Sequence, residues 1–425
     1  MLPFKEIFTK GKSVLILGFG KEGRSSYDFL QKHFPDCKIG IADRNTAIAN
    51  THLPAPLHLG ENYLQAMYDY DIVMKSPGIL LKDTPESLKA KITSQTDLFL
   101  RAYGLQTIGV TGTKGKSTTA SLICHLLQKT GKKSMLMGNI GLPAFDFIEK
   151  IHKGDLIVYE LSAHQLEMTH SSPHIAVLLN LFPEHLDYFG SFEKYKQAKL
   201  NIFRFQKQGD SAFCGEKILE LTNYCETSEN LINVFRPEDL LQRSGLKGEH
   251  NVKNILLAFN VLHKLGISLE ALPHALSGFN ALPHRLEYVG NFGGIDFYND
   301  SISTIPQSTI AAVKSIPQVD TLVLGGFDRG VDYTALVDFL VNTKIKNFFF
   351  LGKAGARMLQ IFQAGDGRRN LIPVKNLQEV FSRLKHLSDM HCCLLSPAAA
   401  SYDQFHNFEH RGDLFKVLAI GFGNK

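Results

Sequence analysis

The sequence predicts an α/β protein built as three consecutive α/β domains. Short apolar runs alternate with helical patterns along the whole chain, which is the signature of parallel sheets. Glycine-rich turns follow a predicted strand at two places, Gly18–Gly23 and Gly112–Gly115. At 425 residues, 44% hydrophobic and 20% charged, the chain is long and apolar enough for about two to three separate cores.

The first domain, residues 1–103, opens with the apolar strand Val14–Leu17, which runs into Gly18-Phe19-Gly20-Lys21-Glu-Gly23. Tyr27, Phe29 and Leu30 then mark the buried face of a helix, and a second strand, Lys38–Ala42, ends in Asp43. This is a β-α-β unit with G-x-G-x-x-G at its first turn, so it is Rossmann-like. The glycines let the backbone approach a pyrophosphate, and the helix N-terminus faces the anion. Asp43 lies twenty positions after the last glycine, and taken alone the motif suggests an NAD-dependent dehydrogenase. A further strand segment, Asp71–Ile79, ends at a Pro-Gly turn.

The second domain, residues 104–281, begins with a strand at Thr107 that leads into VTGTKGKSTTASL, Val110–Leu122. Strands Asp155–Glu160 and Ile175–Asn180 follow, each ending in polar groups, and a helix fills His250–Ile267 with Gly266 as its stop. Pro283 suggests a joint. The third domain, residues 282–425, then runs through strands Gly294–Asp300, Val319–Gly330, Lys346–Gly352 and Cys392–Ser401, separated by helical patterns. It is again Rossmann-like.

Bulk properties exclude several classes. A net charge of +5 is slight for this length and gives no argument for nucleic acid. The six cysteines show no metal spacing, and Cys392-Cys393 sit in an apolar run as packing thiols, as expected in a reducing cytoplasm. No run of about 18 apolar residues occurs, and the N-terminus has no apolar core of signal-peptide length, so neither a membrane span nor export is expected.

Val110–Leu122 carries the first chemical signal. A triphosphate site needs a strand, a tight glycine turn and a helix N-terminus, so that backbone N–H groups and the helix dipole face the phosphates. Gly112 and Gly115 supply the backbone freedom, with Thr113 and Lys114 between them. Lys116 can reach the β- and γ-phosphates, and the hydroxyl of Ser117 or Thr118 can ligate Mg²⁺. The domain is therefore P-loop ATPase-like. A structural turn with a solvated lysine explains G-K-S-T at a strand-helix junction less well. The usual spacing, G-x-x-x-x-G-K-[ST], would place glycine at position 110, where the chain has Val110.

The shortened T-G-T-K-G-K-S-T resembles the loop of the ATP-dependent Mur ligases and their folylpolyglutamate synthase relatives. Further segments resemble one branch, the UDP-N-acetylmuramoyl-alanine:glutamate ligases. They are Gly138-Asn139-Ile-Gly141, Glu160-Leu-Ser162, Asn180-Leu-Phe-Pro-Glu-His185-Leu-Asp187, Tyr195-Lys-Gln-Ala-Lys199 and His250-Asn-Val-Lys-Asn254. Beyond them come Leu282-Pro-His284-Arg285-Leu-Glu287, Asn299-Asp300-Ser301, Ser396–Ser401 and Asn407–Gly412. They stand in the family's order over nearly the whole chain. A folylpolyglutamate synthase-like ligase would lack the N-terminal domain with its own glycine turn.

The resemblance implies three substrates, ATP, UDP-N-acetylmuramoyl-L-alanine and glutamate, with two Mg²⁺ ions and a protein that acts as a monomer. It implies metal ligation by Ser117, Glu160, His185 and Lys199, the last carbamylated by CO₂ because an ammonium cannot bind Mg²⁺. Lys116, His185 and Lys199 would be the catalytic set. Asn254, Arg285 and Asp300 would contact the nucleotide, with His284 flanking. The N-terminal glycine turn would hold the UDP substrate through Gly18, Phe19, Gly20, Lys21, Gly23, Asp43, Arg44, Ser76, Pro77 and Gly78, with Asn139 from the second domain. Thr304, Arg329, Ser401 and Phe408 would hold glutamate. On residue type alone, His185 reads equally as a structural histidine, Lys199 as a surface lysine and Asp300 as a turn cap.

Two positions depart from the family pattern. Most members read N-D-S-K-A-T-N where this chain has Asn299-Asp-Ser-Ile302-Ser-Thr304-Ile305, so an uncharged Ile302 replaces a lysine. Arg329 stands where many have a lysine that holds glutamate; arginine serves as a bidentate carboxylate clamp. N-D-S-I-S-T, with Gly20-Lys-Glu-Gly-Arg24 near the start and Asn180–Asp187 in the middle, also resembles a subgroup in which some members add L-glutamate. Ser396–Gly412 follows the D-glutamate pattern, and D-glutamate is the expectation.

Overall fold

A computed structural model of the chain describes residues 4–423 except 52, 82–83, 141, 216–217, 219–224, 228–230, 232–233, 280–281 and 364–368. Gly141 of the quoted Gly138–Gly141 segment, and residue 281 at the expected domain edge, lie outside the described residues. The chain forms an α/β structure with three sheets. The first contains β1 (Ser13–Leu17), β2 (Lys38–Asp43), β3 (Leu57–Leu59), β4 (Ile72–Lys75) and β5 (Ile92–Thr93). It is wholly parallel, in the order β3-β2-β1-β4-β5.

The second sheet contains β6 (Thr107–Thr111), β7 (Ser134–Gly138), β8 (Leu156–Glu160), β9 (Ile175–Leu178) and β10 (Ser211–Cys214). It too is parallel, in the order β10-β9-β6-β8-β7. Both sheets reverse strand order at the strand that precedes a glycine turn, β1 in one and β6 in the other. The crevice beyond the carboxyl ends of such strands is where open α/β sheets bind ligands. Every residue of β6 is buried, as expected of a strand covered by helices on both faces.

The third sheet contains β11 (Glu287–Phe292), β12 (Ile295–Asn299), β13 (Thr321–Gly325), β14 (Asn347–Leu351), β15 (Asn370–Val374) and β16 (Cys392–Leu395). Its order is β11-β12-β16-β13-β14-β15. β11 pairs antiparallel with β12, which sequence reading did not anticipate. The hairpin turn is Gly293-Gly294, both at positive φ (61° and 82°), a conformation that glycine adopts without strain. β13 and β16 are also shorter than the expected Val319–Gly330 and Cys392–Ser401. Their apolar runs continue into loops whose backbone leaves the ladder.

By internal contacts the chain divides into two compact units, Met1–Arg243 with Val252–Gly278, and Ser244–Asn251 with Phe279–Lys425. The first unit holds the first two sheets, and a continuous core joins them. Phe4, Phe29 and Leu30 beside the first sheet share this core with Phe145, Ile157 and Tyr159 around the second. In the second unit both faces of the third sheet are packed, one on Leu322, Phe348 and Leu394, the other on Phe297, Phe349 and Phe415.

The two glycines that bracket the first turn are sterically tied. A Cβ on Gly23 would lie 2.0 Å from the Gly18 carbonyl oxygen, whereas one on Gly20 would meet nothing within 4 Å. Gly23→Ala should therefore lower the free energy of unfolding by roughly 1–3 kcal/mol, as overpacking does. Gly20→Ala should change it by about 0.5 kcal/mol or less. Denaturant midpoints for the two variants check this contrast, and equal midpoints would show that the turn relaxes around an added methyl.

Candidate active site

The phosphate-type loop leaves β6 at Thr111 and closes on the helix Lys116–Lys129. Gly115 is its N-cap at φ +83°, and Gly112 sits at φ +157°. One side chain holds the loop from outside. Asn180 Oδ1 accepts from the Lys114 N–H at 2.8 Å, and Asn180 Nδ2 donates to the Lys114 carbonyl at 3.0 Å. Thr113 Oγ1 lies 3.0 Å from the Tyr195 hydroxyl and accepts from the Phe182 N–H at 2.9 Å. Lys116 folds back over the loop, its ammonium 3.0 Å from the carbonyls of both Gly112 and Thr113. Asn254 packs on the loop as well: a Cβ on Gly115 would lie 3.1 Å from its carboxamide nitrogen.

Charged groups gather where β6, β8 and β9 end. Glu160, last residue of β8, is fully buried. Its Oε1 accepts from Asn139 Nδ2 at 2.8 Å, while Oε2 has no hydrogen-bond partner among the described residues. Lys199, on the helix Phe192–Arg204, is 1% exposed and donates to the Gly112 carbonyl at 2.8 Å and Thr111 Oγ1 at 3.3 Å. Burial, and then the like charge of Lys116, pushes its pKa well below the ordinary lysine range, against the opposing pull of Glu184 and Glu160. Burial would raise Glu184, but Lys114, bonded to it at 2.8 Å, and Lys116 more than offset that and leave it below its usual value.

His185 begins the short helix Leu186–Phe189 in the left-handed region, at φ +56°. Its ring centroid lies 4.8 Å from that of His164 and 6.3 Å from that of Tyr195. An unpartnered buried carboxylate oxygen is costly unless something binds it, and a carboxylate near hydroxyls at a helix N-terminus suits Mg²⁺. Among the described residues no three His, Cys, Asp or Glu side chains form a metal cage. In phosphate sites Mg²⁺ takes one or two carboxylates and completes its shell with water and substrate oxygens.

At the first sheet, Ser76 and Asp43 of the expected UDP-binding residues bond to the turn after β1, whereas Asn139 lies at the second sheet, on Glu160. Gly18 is at φ +90°, with the Ser76 and Ile79 side chains 2.8–2.9 Å from where its Cβ would stand. Ser76 Oγ donates to the Gly18 carbonyl at 2.7 Å. Asp43 accepts from the Phe19 N–H at 2.6 Å and from the Asn45 N–H at 2.7 Å, so it fastens the turn from the end of β2. Lys21, Arg44 and Gly78 are exposed and Pro77 is half-buried. Arg24 lies over the Phe19 ring, 4.8 Å from its centroid.

In the second unit the loops after β12, β13 and β16 meet. Arg411, 1% exposed, ties two of them: its guanidinium donates to the Ser301 carbonyl at 2.8 Å, Ser301 Oγ at 2.9 Å, and the carbonyls of Ala399 and Ala400 at 3.1 and 3.2 Å. Arg329 Nη2 lies 3.3 Å from the Thr304 carbonyl, which brings two of the four expected glutamate residues into contact. Ser401 is buried beside Ala400, whose carbonyl accepts from the Phe327 N–H at 2.9 Å. The Phe408 carbonyl accepts from Ser301 Oγ at 2.8 Å. Asp300 is buried, accepting from Ser396 Oγ at 2.7 Å and the Leu286 N–H at 3.2 Å, and burial lifts its pKa to about 6. Arg285 lies just before that Leu286 contact, and Ile302 meets the His284 carbonyl through its backbone N–H at 3.2 Å.

Several residues that shape these sites carry no motif of their own. Asn180 and Glu184 lie inside a quoted segment, yet nothing in their type separates a loop clamp from a surface amide or acid. Buried Lys75 joins half-buried Glu167 and Tyr188, with its ammonium 3.2 Å from both Glu167 Oε2 and the Tyr188 hydroxyl. Arg411 lies inside the quoted Asn407–Gly412, but Ser301, which it ties, stands 110 residues away. Only the pairing of a buried arginine with several loop carbonyls identifies it.

Comparison with known proteins agrees with this geometry. The Mur ligase middle domain family matches residues 110–223, which include the phosphate-type loop, Glu160, His185 and Lys199. A UDP-N-acetylmuramoylalanine–D-glutamate ligase of Clostridium kluyveri is 33% identical over 458 aligned positions, covering 98% of each chain. One from Koribacter versatilis is also 33% identical, covering 96% of this chain and 97% of its own. The fold is shared with the solved structure of MurF from Acinetobacter baumannii, at a TM-score of 0.61 and 16% identity over 100% of this chain and 93% of that one. With a third of its residues shared along its full length, the chain belongs to the Mur ligase family, in the branch of the UDP-N-acetylmuramoylalanine–D-glutamate ligases.

Proposed function

We propose that the protein joins D-glutamate to UDP-N-acetylmuramoyl-L-alanine with ATP, through an acyl phosphate, in peptidoglycan precursor synthesis, acting as a monomer in the cytoplasm. The observation that carries the ATP-dependent step is the loop Gly112–Gly115 with Lys116 folded over it and the unpartnered Glu160 oxygen nearby. The names of relatives that align over the whole length support the substrates.

A carboxylate is a poor acyl donor at neutral pH, so it must first be activated. The alanine carboxylate attacks the γ-phosphorus of ATP, the bond to the ADP oxygen breaks, and an acyl phosphate forms. The glutamate amine then attacks the acyl carbon, inorganic phosphate leaves, and the amine loses its extra proton. The chain supplies positioning and charge rather than a covalent nucleophile. Lys116 and the backbone N–H groups of the loop hold the phosphates, and Asn254 steadies the loop at Gly115. Mg²⁺, two ions in this reading, would be held by Glu160, the Ser117 hydroxyl, His185 and Lys199, and supplies neutralisation of the phosphate charge.

Lys199 fits the carbamate reading in one specific way. CO₂ adds only to an uncharged amine, and Lys199 is buried in surroundings that favour that form. In the second unit, Thr304, Arg329, Ser401 and Phe408 take glutamate, with Arg329 clamping a carboxylate, while Arg285 and Asp300 contact nucleotide. The turn after β1, with Asp43, Arg44, Ser76–Gly78 and Asn139, takes the UDP end of the substrate. L-glutamate is the second reading, favoured by Asn299–Thr304 together with Gly20–Arg24 and Asn180–Asp187, which resemble the subgroup with L-glutamate members.

Phosphate release from ATP with UDP-N-acetylmuramoyl-L-alanine and either glutamate isomer tests the assignment. Release with D-glutamate alone is expected; release with L-glutamate alone would change the amino acid and keep the mechanism, and none with either would sink the ligase reading. Lys116→Ala should lower kcat by about a hundredfold or more, the usual cost of losing a charge-stabilising donor. Carbon-13 NMR of the protein in labelled bicarbonate should show a carbamate signal that Lys199→Arg removes. Its absence in the unmodified chain would exclude the modification.

A further inference from the structure

Glu22 lies in the first turn of the helix Lys21–His33, the turn that the Gly18–Gly23 loop opens. A helix N-terminus attracts anions, and the UDP substrate proposed above brings two phosphate charges to this turn. A carboxylate held there opposes them, so its own surroundings decide whether it stays ionised.

Among the described residues no counter-ion is bonded to it. Oε1 accepts from Gln165 Nε2, and Oε2 is buried with no hydrogen-bond partner among the described residues. Gln165 cannot turn over to compensate, because its carbonyl accepts from the Ser162 N–H at 2.9 Å in a capping box. Lys75 is the cation whose charge reaches Glu22, but its ammonium is taken by Glu167 Oε2 and the Tyr188 hydroxyl. The other groups packed around it add no positive charge: Tyr159 pairs with Thr96, Asp146 accepts from Ser25, and Gln95 donates to the Glu22 backbone carbonyl. Lys21 and Arg24, on the same helix, are exposed. Burial accordingly lifts the Glu22 pKa to about 7, against the opposing Gln165 bond and Lys75 charge.

We propose that Glu22 is a proton-taking member of the diphosphate site: the docking diphosphate converts it from carboxylate to neutral acid, with the proton drawn from solvent onto its unpartnered oxygen. The inference rests on the reading of the Gly18–Gly23 turn as the UDP-substrate site. It follows that the site binds its dianionic ligand without leaving two like charges buried together. Because this proton comes from solvent, binding weakens as pH rises. Below the Glu22 pKa of about 7 the acid is already neutral and affinity is level; above it, affinity falls up to tenfold per pH unit.

Calorimetric titration of the full chain with UDP-N-acetylmuramoyl-L-alanine, in buffers of different ionisation enthalpy, measures the proton directly. The esterified diphosphate of this ligand does not itself titrate near neutrality. Uptake of about 0.9 proton per ligand at pH 8 and about 0.1 at pH 6 is expected from a group of pKa about 7. Glu22→Gln should abolish the uptake and bind about tenfold more tightly than the unmodified chain at pH 8, with equal affinity at pH 6. Binding without uptake at pH 8, or uptake that survives Glu22→Gln, would overturn the role of Glu22 and leave the substrate reading intact. No binding at all would overturn the substrate reading and this inference with it.

Discussion

The central site depends on a short loop keeping an open shape with few contacts of its own. Gly112–Gly115 has one residue fewer than the common phosphate loop, so it lacks the length to brace itself. A single carboxamide, Asn180, takes both the N–H and the carbonyl of Lys114 and replaces the missing bracing. Tyr195 and Phe182 hold Thr113 from the other side. Shape is therefore imposed on the loop by the segment that follows β9 and by the helix Phe192–Arg204. That segment also carries Glu184 and His185, and the helix carries Lys199, so one set of contacts positions loop and charges together.

Charge balance follows from that placement. Lys116 and Lys199 both reach the Gly112 carbonyl, and burial of Lys199 beside a second lysine favours its uncharged form. Glu184 is neutralised by Lys114, which leaves Glu160 as the carboxylate with an oxygen to spare. An uncharged Lys199 avoids setting a buried ammonium beside that of Lys116, which would cost more than either hydrogen bond returns.

The fold was legible because parallel strands buried on both faces read as apolar runs between helical patterns, as at β1, β6 and β8. The antiparallel β11 was not, because Glu287–Phe292 has mixed burial and follows a proline that reads as a joint. The far ends of β13 and β16 were read as strand because Gly326–Gly330 and Pro397–Ser401 directly follow apolar runs, although their backbone turns away from the ladder. At the site, Lys116, Glu160 and Lys199 stood out through spacing and resemblance. Asn180, Glu22 and Arg411 did not, because their importance lies in what they touch across long sequence separations. A buried oxygen without a partner is a property of the folded chain alone.

Arg411 bears on how this chain can vary. One guanidinium spans the Ser301 turn and the Ala399–Ala400 turn, so the two cannot drift independently. The Ile302 N–H donates to the His284 carbonyl, a bond that any residue other than proline supplies. The loop is thus fixed by its main chain and by an arginine elsewhere, leaving the side chain at position 302 open to exchange. A lineage can replace a lysine there without rebuilding the loop, and any retuning of the amino-acid pocket falls to the few side chains that project from a frame already locked.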